Sequence, residues 1–192
     1  MENDNRQLKE IIEGCIQRKR KFQEKLFKMY YGKMLTVCMR YMLDHDSAQE
    51  IVQVGFIKVF DKLEGYDFNG SFEGWIRRIM ANTAIDAIRK SKRDPFLAED
   101  EARTFTDDEP EPFERDEQIE YTGIKAELAM KAIQSLSPGY QSVFNLYVFE
   151  NYTHKEIAEI LGISEGTSKS NLAKAKANLQ KMLEKEYNKI QR

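Results

Sequence analysis

Apolar side chains recur at three- and four-residue intervals through most of this 192-residue chain, which is the period of an amphipathic helix. In the first half the pattern predicts four helices, at about residues 8–16, 22–41, 47–65 and 71–93. Ser47 and Glu50 have the spacing of a capping box at the start of the third helix. No stretch alternates apolar and polar residues as a strand would, so this half is predicted to be an all-helical bundle.

The second half also shows the helix period, with clearer boundaries between helices. It predicts helices at about 124–135 and 140–149, with a break at 137–139. Thr153 and Glu156 form a second capping box, and Gly162 occupies the position of a left-handed C-terminal cap. Ser164 then caps a long last helix. Two helices joined by such a short turn are the arrangement that presents a recognition helix to the major groove of DNA.

A helical projection of the last helix separates an apolar arc from a polar one. The apolar arc holds Leu172, Ala175, Leu179, Met182 and Leu183. The polar arc holds Thr167, Ser170, Lys174 and Lys181, with Asn171 and Ala173 at its flanks. Hydroxyl, amide and ammonium groups on the first turns of such a helix can reach base edges and phosphates. This half is therefore predicted to contact DNA, against the alternative of an ordinary helical hairpin.

Charge is unevenly spread along the chain, although thirty basic and thirty-two acidic side chains leave a net charge of only −2. Residues 94–120 hold twelve acidic and two basic side chains and three of the four prolines, whereas residues 18–93 carry +7 and residues 121–192 carry +3. Low hydrophobicity with high net charge predicts a flexible linker. The predicted organisation is two small helical domains, residues 1–93 and 121–192, joined by a flexible acidic linker at 94–120.

Composition argues against several classes of protein. The longest uncharged apolar runs, such as 34–39, are far shorter than the roughly 20 residues of a membrane-spanning helix, and no export signal is apparent. Cytoplasmic localisation without membrane insertion is therefore expected. Two cysteines and two histidines, far apart in the sequence, do not form a zinc motif. Because nucleophile–base pairs and phosphate-binding glycine loops are missing as well, we expect no catalytic residue, metal or cofactor.

The fourth predicted helix carries a polar side that a purely structural helix would not need. The residues on this side are Arg77, Arg78, Asn82, Asp86, Arg89, Lys90, Lys92 and Arg93. Tyr66, Phe68 and Trp75 lie nearby in the sequence. Cations follow phosphates, while rings and amides can stack on or hydrogen-bond to an unpaired base. The alternatives are a solvated helix face and, for Trp75, a place in the core.

Three motifs in sequence order resemble those of the extracytoplasmic-function sigma factors, the smallest class of the bacterial sigma-70 family. Residues 40–60, with the segments AQEIVQ and FIKVF, resemble region 2.2 of that family. Residues 72–90 resemble region 2.4, with the sequence FEGWIRRIMANTAIDAIRK. The residues from Leu136 through the helix–turn–helix to the EGTSKS segment resemble region 4. The resemblance covers about residues 18–93 and 124–185, and it implies an all-α fold with a region 2 four-helix bundle and a region 4 helix–turn–helix.

The family's function implies that the chain binds core RNA polymerase, directs it to promoters and performs no chemistry itself. In the family the region 2.2 helix docks on a coiled coil of the polymerase β′ subunit, which implies Glu50, Gln53 and Phe56 as contacts. Val54 stands where the family usually has an acidic residue. The acidic linker is expected to run through the basic RNA channel of the polymerase. The partners implied are therefore the β′ and β subunits, promoter DNA and an anti-sigma factor.

Regions 2.3 and 2.4 of the family melt the −10 element and hold an extruded non-template base, which implies that Asn82 lines a pocket with the loop 66–71. The residues implied for −10 DNA binding are Tyr66, Asp67, Phe68, Asn69, Ser71, Arg78, Asn82, Asp86, Arg89 and Lys90. Those implied for −35 DNA binding are Thr167, Lys169, Ser170, Asn171, Ala173 and Lys174. The family often has arginine, the bidentate reader of guanine, at Asn171, Lys174 and Lys176. Modest affinity or an unusual −35 sequence is therefore expected.

Two other classes of function remain open on the sequence. A helix–turn–helix regulator that is not a polymerase subunit would explain residues 124–185, but it would leave the basic helical bundle without a purpose. It predicts tight binding to duplex DNA in the absence of polymerase. An enzyme is the weaker alternative, and turnover of a substrate by the purified chain would support it.

Overall fold

The computed structural model describes residues 2–91 and 123–190, so the predicted acidic linker lies outside the described residues. Eight α-helices are found in the described ranges, with no strand among them, and the predicted all-α class is confirmed. The helices are α1 (Glu2–Ile16), α2 (Arg20–Met39), α3 (His45–Lys62), α4 (Phe72–Ser91), α5 (Gly123–Gln134), α6 (Pro138–Phe144), α7 (His154–Leu161) and α8 (Glu165–Ile190). The chain divides into two compact units, 1–87 and 88–192. The predicted domain bounds, at 93 and 121, remain predictions.

The first unit is built around α2, which packs against both α1 and α3. Its largest fully buried side chains come from every helix of the unit and the turn after α3, and they are Ile11, Ile12, Leu26, Met34, Phe56, Leu63, Ile76, Met80 and Ile85. Each contributes roughly 1.5–3 kcal/mol by leaving water. Cys38 is fully buried, as its apolar neighbours predict, and burial raises the pKa of the Cys15 thiol to about 11. Both cysteines are therefore core residues.

The start of α3 differs from the prediction. The helix begins at His45, and its cap is Asp44, whose side chain accepts a hydrogen bond from the Ser47 backbone N–H at 2.8 Å. The Ser47 hydroxyl donates to the same carboxylate at 2.8 Å, so Ser47 is not the capping residue. These hydrogen bonds lower the pKa of Asp44. Asp is as good a cap as Ser, and an acidic group is favoured at a helix N-terminus.

The second unit has its own core, formed by α5, α6 and α8. This cluster contains Ala132, Ile133, Leu136, Tyr140, Ala175 and Leu179, with Phe144, Phe149 and Met182 packed against it. The helix predicted at 140–149 changes character at Asn145, where the α-helical turns of α6 give way to a wider π turn, Asn145–Phe149. The helical projection predicts Leu183 on the apolar arc of α8, but Leu183 is 41% exposed, because the helix continues beyond this cluster.

Candidate nucleic-acid and polymerase interfaces

A cluster of aromatic rings lies where the loop after α3 meets the start of α4. Tyr66 is the centre of the cluster, with ring centroids 5.1 Å from Phe68, 4.9 Å from Phe72 and 5.3 Å from Trp75. Phe72 also stacks on Trp75 at 5.7 Å and meets Tyr30 of α2 edge-on at 5.6 Å. Aromatic pairs at these distances add stability beyond their buried area. The cluster therefore anchors an otherwise irregular loop to the helical bundle.

The loop itself is held by short-range hydrogen bonds and two left-handed residues. The Tyr66 hydroxyl donates to the Gly70 carbonyl at 3.1 Å, and Gly70 has φ of 88°. The Asp67 carboxylate accepts from the Asn69 backbone N–H at 2.9 Å and from its side-chain amide at 3.0 Å, which lowers the pKa of Asp67. Phe68 has φ of 60°, a strained value for an aromatic residue. This backbone leaves the Phe68 ring 46% exposed beside the cluster.

A cavity of about 490 Å³ opens between this loop and α1. Its walls are formed by Leu8, Lys9, Tyr30, Tyr66, Phe68, Gly70, Ser71, Phe72 and Glu73. The Lys9 ammonium lies 5.7 Å from the centroid of the Phe68 ring, within the range of a cation–π contact. A ring-lined cavity of this size, with a cation at its wall, is suited to a planar group that carries a phosphate.

Not every residue predicted for the −10 pocket lines this cavity. Tyr66, Phe68 and Ser71 line it, whereas Asn82 does not. Asn82 lies ten residues after Phe72, about 15 Å further along α4 at 1.5 Å per residue. Asn82 therefore lies outside this cavity, and its role in holding the unpaired base remains a prediction. The α1 side chains Leu8 and Lys9 were missed, because a contact between α1 and the loop leaves no signal in local sequence patterns.

Asn82 instead belongs to a stripe along α4. At 100° per residue, one arc of about 80° contains Trp75, Arg78, Asn82, Asp86 and Arg89. Four of these side chains are exposed and Trp75 is half-buried. Asp86 accepts a hydrogen bond from Lys58 of α3 at 3.0 Å, so its charge is already balanced within the first unit. The predicted Lys90 is exposed on the neighbouring side of the last turn of α4.

The turn between α7 and α8 is fixed by the caps that the sequence predicts. Thr153 and Glu156 form a complete capping box, with the Thr153 backbone N–H donating to Glu156 at 2.8 Å and the Glu156 N–H donating to the Thr153 hydroxyl at 3.3 Å. Gly162 ends α7 in the left-handed conformation with φ of 70°. The Ser164 hydroxyl accepts from the Thr167 N–H at 2.9 Å at the start of α8. The predicted helix–turn–helix is confirmed.

A histidine connects the two helices of this motif. The Nδ1 atom of His154 lies 2.9 Å from the hydroxyl of Ser168, which is fully buried at the inner side of α8. The His154 ring stacks on Tyr147 at 4.7 Å. Burial and, to a smaller extent, the nearby Lys169 ammonium lower the pKa of His154. The ring thus packs as a largely neutral group between the π turn and α8.

The predicted −35 residues do not all face solvent. Lys169 is exposed, and Thr167, Ser170, Ala173 and Lys174 are half-buried. Asn171 is only 5% exposed, so its assignment as a base-contacting residue is corrected. Ser168, three residues before it, and Ala175, four residues after it, are both fully buried. Neighbours at these spacings share a helix face, and Asn171 therefore turns towards the core of its unit.

The predicted polymerase-contacting residues of α3 also separate into two groups. Glu50 and Gln53 are exposed, whereas Phe56 is 2% exposed and packs against Phe27, with ring centroids 4.7 Å apart. Phe56 is thus a core residue, and its assignment as a direct contact is corrected. Val54 and Ile57, which are 40% and 62% exposed, share the face of Glu50 and Gln53 instead. A helical projection of α3 would have found them.

The parts of the chain that the structure describes contain no group of three or more His, Cys, Asp or Glu side chains placed to hold a metal ion. Within the same residues, no helix is both long and apolar enough to cross a membrane. The candidate surfaces for function are the α3 face, the ring-lined cavity with the α4 stripe, and the helix–turn–helix.

Both halves of the chain match known families, Sigma-70 region 2 over residues 26–94 and Sigma-70, region 4 over residues 126–179. The ECF RNA polymerase sigma factor SigW of Bacillus subtilis is 29% identical over 165 residues, which cover 81% of this chain and 85% of SigW. The RNA polymerase sigma factor YlaC of the same bacterium is 27% identical over 164 residues, 84% of this chain and 92% of YlaC.

A solved structure has the same fold. The sigma factor RpoE of Bartonella quintana, crystallised with the anti-sigma factor NepR, aligns with a TM-score of 0.54 and 19% identity over 84% of this chain and 96% of RpoE. With its two regions in family order, the chain belongs to the sigma-70 family, as an extracytoplasmic-function sigma factor that initiates transcription. A stand-alone helix–turn–helix regulator is not favoured, because it would leave the region 2 match unexplained.

Proposed function

We propose that the chain divides the work of promoter recognition between its two units. The first unit binds core polymerase through the outer face of α3 and holds an unpaired base of the −10 element at the ring-lined cavity. The second unit reads the −35 duplex through the first turns of α8. The ring-lined cavity supports this proposal most strongly, because four aromatic side chains with a cation beside them suit a flipped nucleotide better than a packed core.

The loop and the α4 stripe have separate roles in this proposal. Phe68 and Tyr66 stack on the extruded base, while Arg78 and Asn82 follow the strand along α4 towards Arg89 and the neighbouring Lys90. The distance of about 15 Å between Phe72 and Asn82 corresponds to several nucleotides of single strand rather than one pocket. Asp67, Asn69 and Ser71 set the shape of the loop through their hydrogen bonds, and they act on DNA through that shape.

In the second unit, Lys169 and Lys174 contact phosphates, and Thr167, Ser170 and Ala173 approach base edges. Lysine gives a point charge rather than the planar fork of arginine, so most of the affinity is expected to be salt-dependent and weakly sequence-specific. The acidic segment 94–120 is proposed to run through the basic RNA channel of the polymerase, because it carries twelve carboxylates against two basic groups.

The partners follow from this arrangement. Core polymerase is bound through its β′ and β subunits, and promoter DNA is bound only in that assembly. RpoE of B. quintana was crystallised with the anti-sigma factor NepR, and we extend this kind of regulator to the present chain. The chain acts in the cytoplasm, catalyses no reaction of its own and needs no cofactor.

Binding of core polymerase to the α3 face is tested with two surface variants. Val54→Asp and Ile57→Asp place a charge on exposed apolar positions without disturbing the core. Each is expected to weaken binding of core polymerase by about tenfold or more in a fluorescence anisotropy titration, because burying an unpaired charge is costly. Leu43→Asp is the matched control, since Leu43 is 79% exposed on a connecting turn outside this face. Equal effects in all three variants would contradict the assignment.

The role of Asn82 is tested by separating core binding from promoter opening. Asn82→Ala is expected to bind core polymerase as the parent does but to give fewer open complexes, measured by permanganate reactivity of unpaired thymines. Loss of both properties together would rule out a role confined to DNA.

A further inference from the structure

One wall of the ring-lined cavity is formed by a helix that lies outside both family matches. The match to Sigma-70 region 2 begins at residue 26, whereas α1 spans Glu2–Ile16. Leu8 and Lys9 of this helix nevertheless line the cavity beside the aromatic rings of the loop. In the proposed function the rings hold the unpaired base, and α1 has no separate role.

The helix α1 is fixed firmly enough to present these side chains in a constant place. Ile11, Ile12 and Cys15 are buried, and α1 packs against α2 and against the turn 63–65 that precedes the loop. Lys9 stands three residues before Ile12, a spacing that places two side chains on neighbouring parts of one helix face. Lys9 therefore lies at the edge of the buried face of α1, although the residue itself is exposed.

The charged residues of the cavity wall are Lys9 and Glu73. The Glu73 carboxylate is paired with Lys33 of α2, whose ammonium nitrogen lies 2.5 Å from the carboxylate oxygen. The Lys9 ammonium lies over the Phe68 ring, 5.7 Å from its centroid. Because the Phe68 ring is 46% exposed, this cation–π contact is a weak one. An anion can therefore draw the ammonium group away from the ring at little cost.

Phe68 connects this ammonium group with the aromatic cluster. Its ring centroid lies 5.1 Å from that of Tyr66, within the range of an aromatic pair, and the Lys9 nitrogen is within cation–π distance. The left-handed φ of 60° at Phe68, which is costly for an aromatic residue, sets the ring at the mouth of the cavity. A base that stacks on the exposed ring is thus brought next to Lys9, and the phosphate attached to its sugar comes with it.

We propose that Lys9 binds a phosphate of the nucleotide whose base occupies the ring-lined cavity, so that α1 takes part in recognition of the −10 element. This inference rests on the proposed function of the cavity. Proteins hold single strands by combining aromatic platforms for the bases with cations for the backbone. Lysine supplies a compact charge on a flexible four-carbon stem, which can follow a phosphate as the base settles. Phe68 is the platform and Lys9 the backbone contact of one nucleotide site.

The first experiment measures how strongly the holoenzyme binds a single strand. The probe is non-template DNA that spans the −10 element of a promoter transcribed by the holoenzyme, and binding is followed by fluorescence anisotropy. Lys9→Met keeps most of the stem and removes the charge. It is expected to weaken binding about tenfold, the usual scale for a hydrogen bond to a charged group. Lys9→Arg keeps the charge and is expected to stay within about threefold of the parent.

Lys25→Met is the matched control, because it removes the same charge from an exposed position of α2. Lys25 stands five residues before the cavity-lining Tyr30, which places it about 140° away around the helix. Its effect on affinity should be less than about twofold. Equal losses in Lys9→Met and Lys25→Met would overturn the proposal, because they would reflect net charge rather than a contact.

The second experiment locates the phosphate that Lys9 contacts. Each probe of a set carries one uncharged methylphosphonate, placed at successive positions of the strand. At one position the parent should lose about as much affinity as Lys9→Met costs, and Lys9→Met should lose almost none, because both changes remove the same interaction. A lysine that only packs on Phe68 would lower the affinity for every probe alike. Additive losses at all positions would therefore contradict the phosphate contact.

The salt dependence of binding provides an independent readout. The logarithm of the binding constant falls with the logarithm of the salt concentration, with a slope of about −0.7 for each phosphate contact on a single strand. Lys9→Met is expected to make this slope shallower by about 0.7, and Lys25→Met to leave it unchanged. A slope that is the same in Lys9→Met and the parent would show that Lys9 neutralises no phosphate.

Phe68→Ala separates a failure of this inference from a failure of the proposed function. If Phe68→Ala weakens binding and Lys9→Met does not, the base site stands and the Lys9 contact is wrong. If Phe68→Ala leaves binding unchanged, the proposed function of the cavity fails, and the Lys9 contact fails with it. A melting curve of each variant checks the fold, and a loss of affinity in Lys9→Met that Lys9→Arg does not restore would assign Lys9 to packing.

Discussion

The two units of the chain present their candidate DNA-binding surfaces by different structural means. In the first unit an irregular loop is held by a cluster of rings, and the result is a concave, ring-lined cavity. In the second unit two regular helices are fixed by a capping box and a left-handed glycine, and their outward side is a convex helix face. A cavity accepts an unpaired base, while a helix face fits the groove of a duplex. The difference suggests which unit acts on melted DNA and which on paired DNA.

Removing a ring from the aromatic cluster is expected to have the largest effect. Phe72 is 4% exposed and contacts Tyr30, Tyr66 and Trp75. Phe72→Ala is expected to lower the free energy of unfolding of the first unit by about 3–5 kcal/mol, because a buried ring is replaced by a cavity. Urea denaturation measures the change. Phe60 is a half-buried residue of α3 outside the cluster, so Phe60→Ala should lower the free energy of unfolding clearly less. A similar loss of stability in both variants would show that the cluster is not the anchor of the loop.

A smaller effect is expected from Phe68, which lies at the mouth of the same cavity. Its ring is 46% exposed, so Phe68→Ala should leave the fold intact. Affinity of the holoenzyme for single-stranded −10 DNA is expected to fall by about 1–3 kcal/mol, the usual value of a base–aromatic stack. Affinity for a duplex with only the −35 element should not change. A loss on the duplex of the same size would remove the distinction between the two units.

For the second unit, the corresponding change is loss of the cap of α7. Thr153→Ala removes the hydroxyl that accepts from the Glu156 N–H and is expected to lower the free energy of unfolding by about 0.5–2 kcal/mol. Thr36→Ala is the control, because that hydroxyl bonds only to a carbonyl within its own helix among the hydrogen bonds described for it. Unchanged stability of Thr153→Ala in thermal denaturation would mean that the turn is held by packing rather than by its caps.

The smallest expected effect is a pH dependence confined to the second unit. Burial holds the pKa of His154 below its ordinary value of 6.5, so the unfolded chain takes up a proton before the folded unit does. The stability contributed by neutral His154 is therefore present above pH 6.5 and is lost as the pH falls below it. Denaturation between pH 7.5 and 5.5 should show this loss, and His154→Gln should flatten it. An identical slope in the variant would contradict the role of the ring.

Helix positions, and the caps of the second unit, were predictable from the sequence because they depend on residues three or four apart. The sequence predicts Ser47 as the cap of α3, whereas the structure has Asp44, because both residue types are good caps and the sequence alone does not choose between them. The inward turn of Asn171 was missed because its polar side chain suggested an outward face, although its neighbours Ser168 and Ala175 are buried. A helical projection that relies on apolar residues alone does not identify polar side chains buried inside a helix bundle.

The parts of the site that could not be predicted are those that join distant segments. The approach of Lys9 to Phe68 depends on how α1 packs against the bundle, and no local spacing encodes it. In contrast, the polarity of the α4 stripe and the exposed face of α3 are properties of single helices and are visible in a helical projection.

Transcription in vitro with purified core polymerase and a library of promoter fragments measures whether the chain initiates transcription. The chain is expected to enable core polymerase to start transcripts from a subset of promoters that share −10 and −35 elements, and Phe68→Ala is expected to reduce that initiation. A chain that binds promoter fragments tightly without polymerase, and adds no transcripts when core polymerase is present, would contradict this expectation.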